Sequence, residues 1–495
     1  MNEPIASRTL FVLWLTVALV LVAGAASLLV ASERYQWELR LADLPIVEFA
    51  LVLCAAGLAV AVLVPLVCAT VRAGLGSDWR ILALILAAGV AMRALMIPSQ
   101  AVLEDDFYRY LWDGAVTAAG MNPFSLAPGA ARLEAAPPPV RALAEAGGGV
   151  LDRVNHPHLK TIYPPVAQAA FAMGHWIEPW SLRAWRLVCL GGELATVAAL
   201  LALLVTLGRP LAWMALYWLN PLVVKELLNS AHMEAIVLPL VMASVLLLAR
   251  RRALWAVVPL GLAIGAKIWP AVLVPLVLRP LLARPGRLVV AVAMLGAIVL
   301  ASALPPLLGG IDGQSGFVAY ASYWQTNSAL FQSVLRATRW LFEALALPGD
   351  LAGTASRLAV AGLVGVIALT AAWRPAAGPR DVVMRARLTV IALFLLSPAQ
   401  FPWYGTWALV FLPFWPLAGL IGLTVFLPLY YASFHFVASG EYGGIARWLV
   451  WLEWVPIWLL LAFDVHRAWN RPLRADAGMP EIIGGSTSEC EPAAG

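Results

Sequence analysis

The sequence predicts an all-α polytopic integral membrane protein, and three observations carry that prediction. The chain is 62% hydrophobic and only 12% charged, about half the charged fraction of ordinary soluble domains, which run near 25%. Its apolar residues come in runs of roughly 18 or more with few charges, the length a helix needs to cross the hydrocarbon core. Its arginines gather in the short polar connections between those runs, which is how membrane proteins mark their cytoplasmic side.

The first three runs, Thr9–Ala31, Leu44–Val71 and Ile81–Pro98, read as spans. The first is long for a signal peptide and has no clear cleavage site, so it reads as a retained helix. A polar stretch, residues 99–161, follows. Apolar segments resume at Tyr163–Trp176, Ala184–Leu207, Leu211–Leu228, Met233–Ala249, Leu254–Leu278 and Leu288–Leu308. A second polar stretch, residues 309–327, leads into Ser328–Leu347, Leu351–Trp373, Ala386–Leu396, Trp403–Pro416, Leu417–Val437 and Ala446–Phe463. The expectation is about 12 to 14 spans in a transmembrane domain over residues 1–465. Residues 466–495, with little apolar content, read as a disordered cytoplasmic tail.

Arg8, Arg72, Arg80, Arg209, Arg250 to Arg252, Arg279, Arg284, Arg287, Arg374, Arg380, Arg385, Arg387, Arg467, Arg471 and Arg474 are placed inside by the positive-inside rule. Both termini are then cytoplasmic, and both polar stretches face outwards. Only one full crossing fits between residue 161 and Arg209. Tyr163–Trp176 is therefore expected to dip into the outer leaflet and return; a short true span is the alternative. Leu254–Leu278 has arginines at both ends and is interrupted at Lys267-Ile268-Trp269-Pro270. That predicts two half-length helices meeting within the membrane. No internal repeat suggests paired transporter halves. The cations form no patch, which argues against a nucleic-acid partner.

The stretch EDDFYRYLWDGAVTAAGMNPF, Glu104 to Phe124, concentrates charge in an otherwise oily chain. Drawn as a helix, Asp105, Asp106, Arg109 and Asp113 share an arc of about 100°. That predicts an amphipathic juxtamembrane helix at the outer surface, ended by Gly120. The plain reading is a solvated face with an Asp105–Arg109 ion pair, worth a few tenths of a kcal/mol. Against it, clustered carboxylates beside a low-dielectric span tend to titrate high and mark functional sites. The outer side also collects His156, His158, Lys160, Tyr163, Asn220, Lys225, Glu226, Asn229, His232, Glu234 and Lys267. Ionisable groups at membrane depth are functional candidates. Acids facing cations suit a substrate with a hydroxyl to deprotonate and an anion to hold.

That stretch, with TIYPPVAQAAF (Thr161–Phe171), LNPLVVKELLNSAHMEA (Leu219–Ala235), GLAIGAKIWPAVLVPLVL (Gly261–Leu278) and SPAQFPWYGTW (Ser397–Trp407), resembles bacterial polyprenyl-phosphate-sugar-dependent glycosyltransferases of the GT-C superfamily. It is most similar to their mannosyltransferase branch. Glu104-Asp105-Asp106 fits the superfamily's acidic motif in an early outer loop. His232-Met233-Glu234 departs from the His/Asn-Asp pairing expected there.

The resemblance implies a GT-C-like fold in the plasma membrane, with residues 99–161 as the acidic catalytic outer loop. It implies a polyprenyl-phosphate sugar as donor and a glycolipid or polysaccharide as acceptor. Asp105, with Asp106 second, would accept the acceptor's proton, and direct attack would invert the anomeric centre. Arg109, Lys160 and Lys267 are the candidates to hold the leaving phosphate, with help from the helix start at Pro164-Pro165. Arg109 could instead only neutralise Asp105, and Lys267 only satisfy carbonyls at the helix break. Glu104, Tyr163, His232, Glu234, Tyr323 and Gln325 are substrate-binding candidates. Tyr323, Trp324, Gln325 and Asn327 form an aromatic–amide cluster suited to sugars, although aromatics also anchor at interfaces. Enzymes of this superfamily differ in divalent-cation use, so both metal-dependent and metal-independent chemistry stay open. The competing reading is a lipid or sugar transporter or flippase; a non-catalytic scaffold is the third.

Overall fold

The computed structural model describes residues 3–441 and 443–470. It is 76% helical, and no strand occurs among the described residues; a lone bridge joins Thr326 to Ala399. In chain order the helices begin with α1 (Glu3–Ser32), α2 (Ile46–Arg72), α3 (Trp79–Met96), α4 (Asp106–Ala118), α5 (Pro138–Ala146), α6 (Pro165–Ile177) and α7 (Leu182–Thr206). Next come α8 (Ala215–Trp218), α9 (Pro221–Val224), α10 (Glu234–Ala249), α11 (Ala253–Ala266), α12 (Val274–Leu278), α13 (Pro285–Gly309) and α14 (Gly316–Tyr323). The last are α15 (Ala329–Ala344), α16 (Ala352–Ala372), α17 (Pro379–Leu396), α18 (Pro402–Leu409), α19 (Ala418–Phe426), α20 (Ala432–Ser439) and α21 (Leu449–Trp469).

Eight helical stretches among the described residues are long and apolar enough to cross a membrane, or nine if Pro221–Asn229 and Glu234–Ala249 count as one broken span. The protein is therefore an all-α polytopic membrane protein. Fewer single helices than apolar segments meet that test because several segments are built in pieces. The expected interruption is one such place. α11 ends at Ala266, Lys267 is extended, a 3-10 turn covers Trp269–Leu273, and α12 follows. Pro270 and Pro275 lack the amide donors that would carry α11 onward. α6 has only 13 residues, too few for a full span of about 20. Ser328–Leu347 does not form a span: α15 carries Arg336, Arg339 and Glu343 on an amphipathic helix, with Phe331 and Leu335 packed against Val360. Residues 466–469, expected in the tail, belong to α21, which continues to Trp469; residues 471–495 lie outside those described.

The helices fall into two packing units. The first holds the chain up to Gln100, Leu207–Glu226 and the chain from Phe401. Here α1 packs on α3, and α19 on both α2 and α21. Arg93 lies 3.4 Å above the Trp218 ring and donates to the carbonyls of Gly89 (3.1 Å) and Trp218 (2.7 Å). Lys225 bonds to the Tyr431 hydroxyl, which donates to Glu226 at 2.7 Å; all three are fully buried. Asn220 caps α9 and reaches Thr424 at 3.0 Å. Asn220, Lys225 and Glu226, grouped by sequence with the acids, thus have partners within the first unit.

The second unit holds Ala101–Thr206 and Leu227–Gln400. α4 and α6 pack closely, because Gly114 has no side chain where a Cβ would lie 2.5 Å from the Phe171 carbonyl oxygen. Tyr110 stacks on Phe171 with centroids 4.7 Å apart. The amphipathic helix is present, but its polar face is not left to solvent: Arg109 and Asp113 are both buried. The remainder of the first polar stretch folds over α4. Trp112 and Val116 join Val140, Ala144, Leu151 and Val154 in one apolar cluster.

Candidate functional site

The site begins where α3 hands over to α4. Asp105 stands at the N-cap of α4 but makes no side-chain cap. Glu104 does that work: its Oε1 accepts from the amides of Asp105 and Asp106, both at 3.2 Å. A helix start leaves amide donors without helical partners, and a carboxylate there also meets the positive end of the helix dipole. Capping by the neighbour leaves the Asp105 carboxylate available.

Asn155 holds the two aspartates together. Its Nδ2 donates to Asp105 Oδ1 at 3.0 Å and to Asp106 Oδ1 at 2.6 Å. The fully buried His232 stands on the other side of Asp106. Its Nε2 is 3.0 Å from Glu104 Oε2, and its Nδ1 is 3.9 Å from Asp106 Oδ2. Burial and the charge of Glu104 push Asp105 up to about 6, against the hydrogen bond from Asn155. The same two causes push Asp106 up to about 7. An amide donates but brings no charge, so Asn155 fixes the pair without cancelling the repulsion.

The surrounding backbone is held in conformations that cost energy. Leu103, His156 and Ala231 have positive φ of 54°, 45° and 58°. Each adjoins a site residue, and such strain persists only where the surroundings impose it. The surroundings are on hand. Asn229 Oδ1 accepts from the Val102 amide at 3.0 Å, tying the approach to Glu104 to the approach to His232. From α7, Trp185 donates to the Ala231 carbonyl at 2.7 Å, and Arg186 to that of Asn229.

The three cations expected to hold phosphate each face a carboxylate. Arg109 is 5% exposed; it lies 3.9 Å from Asp113 and donates to the carbonyls of His156 (3.1 Å) and Leu159 (2.9 Å). The plain Asp105–Arg109 pair of the sequence is replaced by this one. Lys160 bonds to Asp312 at 2.7 Å and to the Gly309 carbonyl at 3.0 Å, pinning the second polar stretch. Lys267, at the helix break, bonds to the buried Glu234, and its side chain is 19% exposed. Lys267 is thus the one of the three that adjoins the His232 segment. Tyr163 packs edge-on to Tyr110, 5.1 Å between centroids.

Tyr323 is 80% exposed and Gln325 is half-buried. The ring that meets the site is their neighbour Trp324, 4.7 Å from His156. One residue beside the acids was hidden from sequence reasoning. Asn155 is one amide in a loop, with no periodicity to flag it. Trp324 was visible in its cluster, but only the end of α14 decides which ring turns inward. Glu104, Asp106 and His232 each offer a donor atom, all within 4.8 Å of one another. Two carboxylates and an imidazole suit a divalent cation, which there would supply a fixed positive charge beside the acids.

Residues 161–398 match the model of glycosyltransferase family 87, just under half of the chain. The matched region holds Tyr163, His232, Glu234, Lys267, Tyr323 and Gln325; the acids at 104–106, Asn155 and Lys160 precede it. No curated protein and no solved structure is significantly similar to the chain. The match and the all-helical, many-span build together support a GT-C-type membrane glycosyltransferase.

Proposed function

We propose that the protein moves a hexose, mannose first, from a polyprenyl-phosphate donor to a cell-envelope glycolipid or glycan acceptor. The work is done at the outer face of the plasma membrane by residues 99–161, with residues 309–327 beside them. The observation that carries this reading is the pair of aspartates held by one neutral amide and raised toward neutral pH.

Asp105 is the base. Only its Oδ1 is engaged by Asn155, whereas Asp106 has one oxygen on Asn155 and the other toward His232. A base is most effective when its pKa lies near the working pH. As the acceptor hydroxyl attacks the anomeric carbon, its proton passes to Asp105. The new C–O bond forms as the bond from that carbon to the phosphate oxygen breaks, and polyprenyl phosphate leaves. One displacement inverts the centre, so a β-linked donor gives an α-linked product. Lys267 is the first choice for the leaving phosphate. To serve, it must exchange Glu234 for the phosphate oxygen, a swap of one charge-assisted bond for another.

The test supplies purified protein with polyprenyl-phosphate mannose, then with the glucose analogue, and a crude glycolipid extract. Transfer from the mannose donor with an inverted product is expected. Lipid movement across vesicles with no transfer from either donor would favour the flippase reading instead.

A further inference from the structure

We propose that Tyr320, Trp324 and His156 form the acceptor subsite, a stacking platform for the terminal pyranose of a glycan or glycolipid headgroup. The proposal rests on the glycosyltransferase reading above. Trp324 and Tyr320 stack with centroids 5.8 Å apart and planes 24° from parallel. The His156 ring meets Trp324 edge-on at 4.7 Å. His156 is exposed and the other two are half-buried, so faces of the cluster are open to a ligand.

The platform is held from behind. The Trp324 carbonyl accepts from Arg357 at 3.1 Å. Two residues on, Thr326 exchanges backbone bonds with Pro398 (3.1 Å) and Gln400 (3.0 Å), and Asn327 donates to the Gln400 carbonyl at 3.1 Å. On the other side, the His156 carbonyl is fixed by Arg109. A surface ring that served only as a membrane anchor would not need this much backbone fastening.

Its place in the contact sequence gives it the acceptor. Trp324 meets His156; His156 follows Asn155; Asn155 holds Asp105 and Asp106; Asp106 faces His232; and Glu234, two residues further, holds Lys267. Along this run of contacts Asn155 and the two aspartates come between the aromatic rings and Lys267. In a single displacement the acceptor enters opposite the leaving phosphate, so with Lys267 given to the phosphate the aromatic end of the run is the one assigned to the acceptor. The electron-rich face of an aromatic ring attracts the polarised C–H bonds on one face of a pyranose, and Tyr320 stacked behind Trp324 holds that ring in place for such a contact.

The experiment uses the full chain in nanodiscs. Acceptor and donor KM are measured for the native protein, Trp324→Ala, Trp324→Phe and His156→Ala, with thermal melting as a folding control. Saturation-transfer NMR with octyl mannoside and octyl glucoside reads sugar contact without any reaction. Trp324→Ala should raise acceptor KM at least tenfold, about 1.4 kcal/mol, with donor KM unchanged within twofold. His156→Ala should raise it severalfold, and Trp324→Phe should recover most of the loss. A folded Trp324→Ala protein with native acceptor KM overturns the proposal. So does a rise in donor KM that matches the rise for acceptor. Alkyl-glycoside contact that vanishes in Trp324→Ala, in a protein that transfers nothing, supports the platform while the transfer reading fails.

Discussion

Burial and the charge of Glu104 lift Asp105 to about 6 and Asp106 to about 7, from an ordinary 3.8. A base must be deprotonated to act, so transfer should fall about tenfold per unit as the pH drops below about 6. Asn155 lowers both values by donating to the charged forms, so Asn155→Ala should move that limb to higher pH. A pH–rate profile checks both; a limb in the variant that does not move would remove Asn155 from the account. Stability follows with the opposite sense. A carboxyl whose folded pKa is raised contributes stability that is full below pH 3.8 and lost as the pH rises through its folded value. At neutral pH the charged pair therefore costs stability. Asp106→Asn should raise the melting temperature at pH 7.5 measurably, since ~1 kcal/mol moves a domain of about 150–250 residues by roughly 2–4 °C and a longer chain by less. The gain should fade toward pH 4. The acids were legible in the sequence because carboxylates are rare in an oily chain. Asn155 was not, because its role exists only once the loop folds over α4.

α7 and α10 meet where the sequence allows it. A Cβ on Gly192 would lie 2.1 Å from the Ala235 carbonyl oxygen, and Ala235 follows Glu234, the partner of Lys267. Nothing lies within 4 Å of a Cβ built on the adjacent Gly191. Gly192→Ala should thus destabilise the protein by about 1–3 kcal/mol, as overpacking does, and weaken transfer. Gly191→Ala should be neutral or gain up to ~1 kcal/mol from helix propensity. Thermal melting of the two variants distinguishes them, and equal behaviour would refute the contact. Elements were legible where composition is extreme: α1, α2, α3, α7 and α13 follow their apolar runs, and the break at Lys267 follows its proline. α15 was misread because Phe331, Leu335 and Trp340 give it an apolar look that its two arginines and Glu343 contradict. The burial of α4 was also beyond reach, since Gly114 marks a close approach only when Phe171 is seen against it.

For the whole molecule, hydropathy alone was enough for the class, a many-span helical membrane protein. It was not enough for the division into two packing units, which interleaves three segments of chain in one with two in the other. Packing between distant segments leaves no periodic trace. The family match begins at residue 161, beyond the acids that carry the proposed chemistry, so the catalytic claim stands on geometry and needs its own measurement. That measurement is the rate of mannosyl transfer in reconstituted vesicles at saturating donor and acceptor, native against Asp105→Asn. The variant keeps the shape and removes the proton acceptor. A loss of roughly 10²–10⁴-fold is expected for removal of a general base, in a protein that melts no lower than the native one. A folded Asp105→Asn protein that transfers at the native rate would contradict the account.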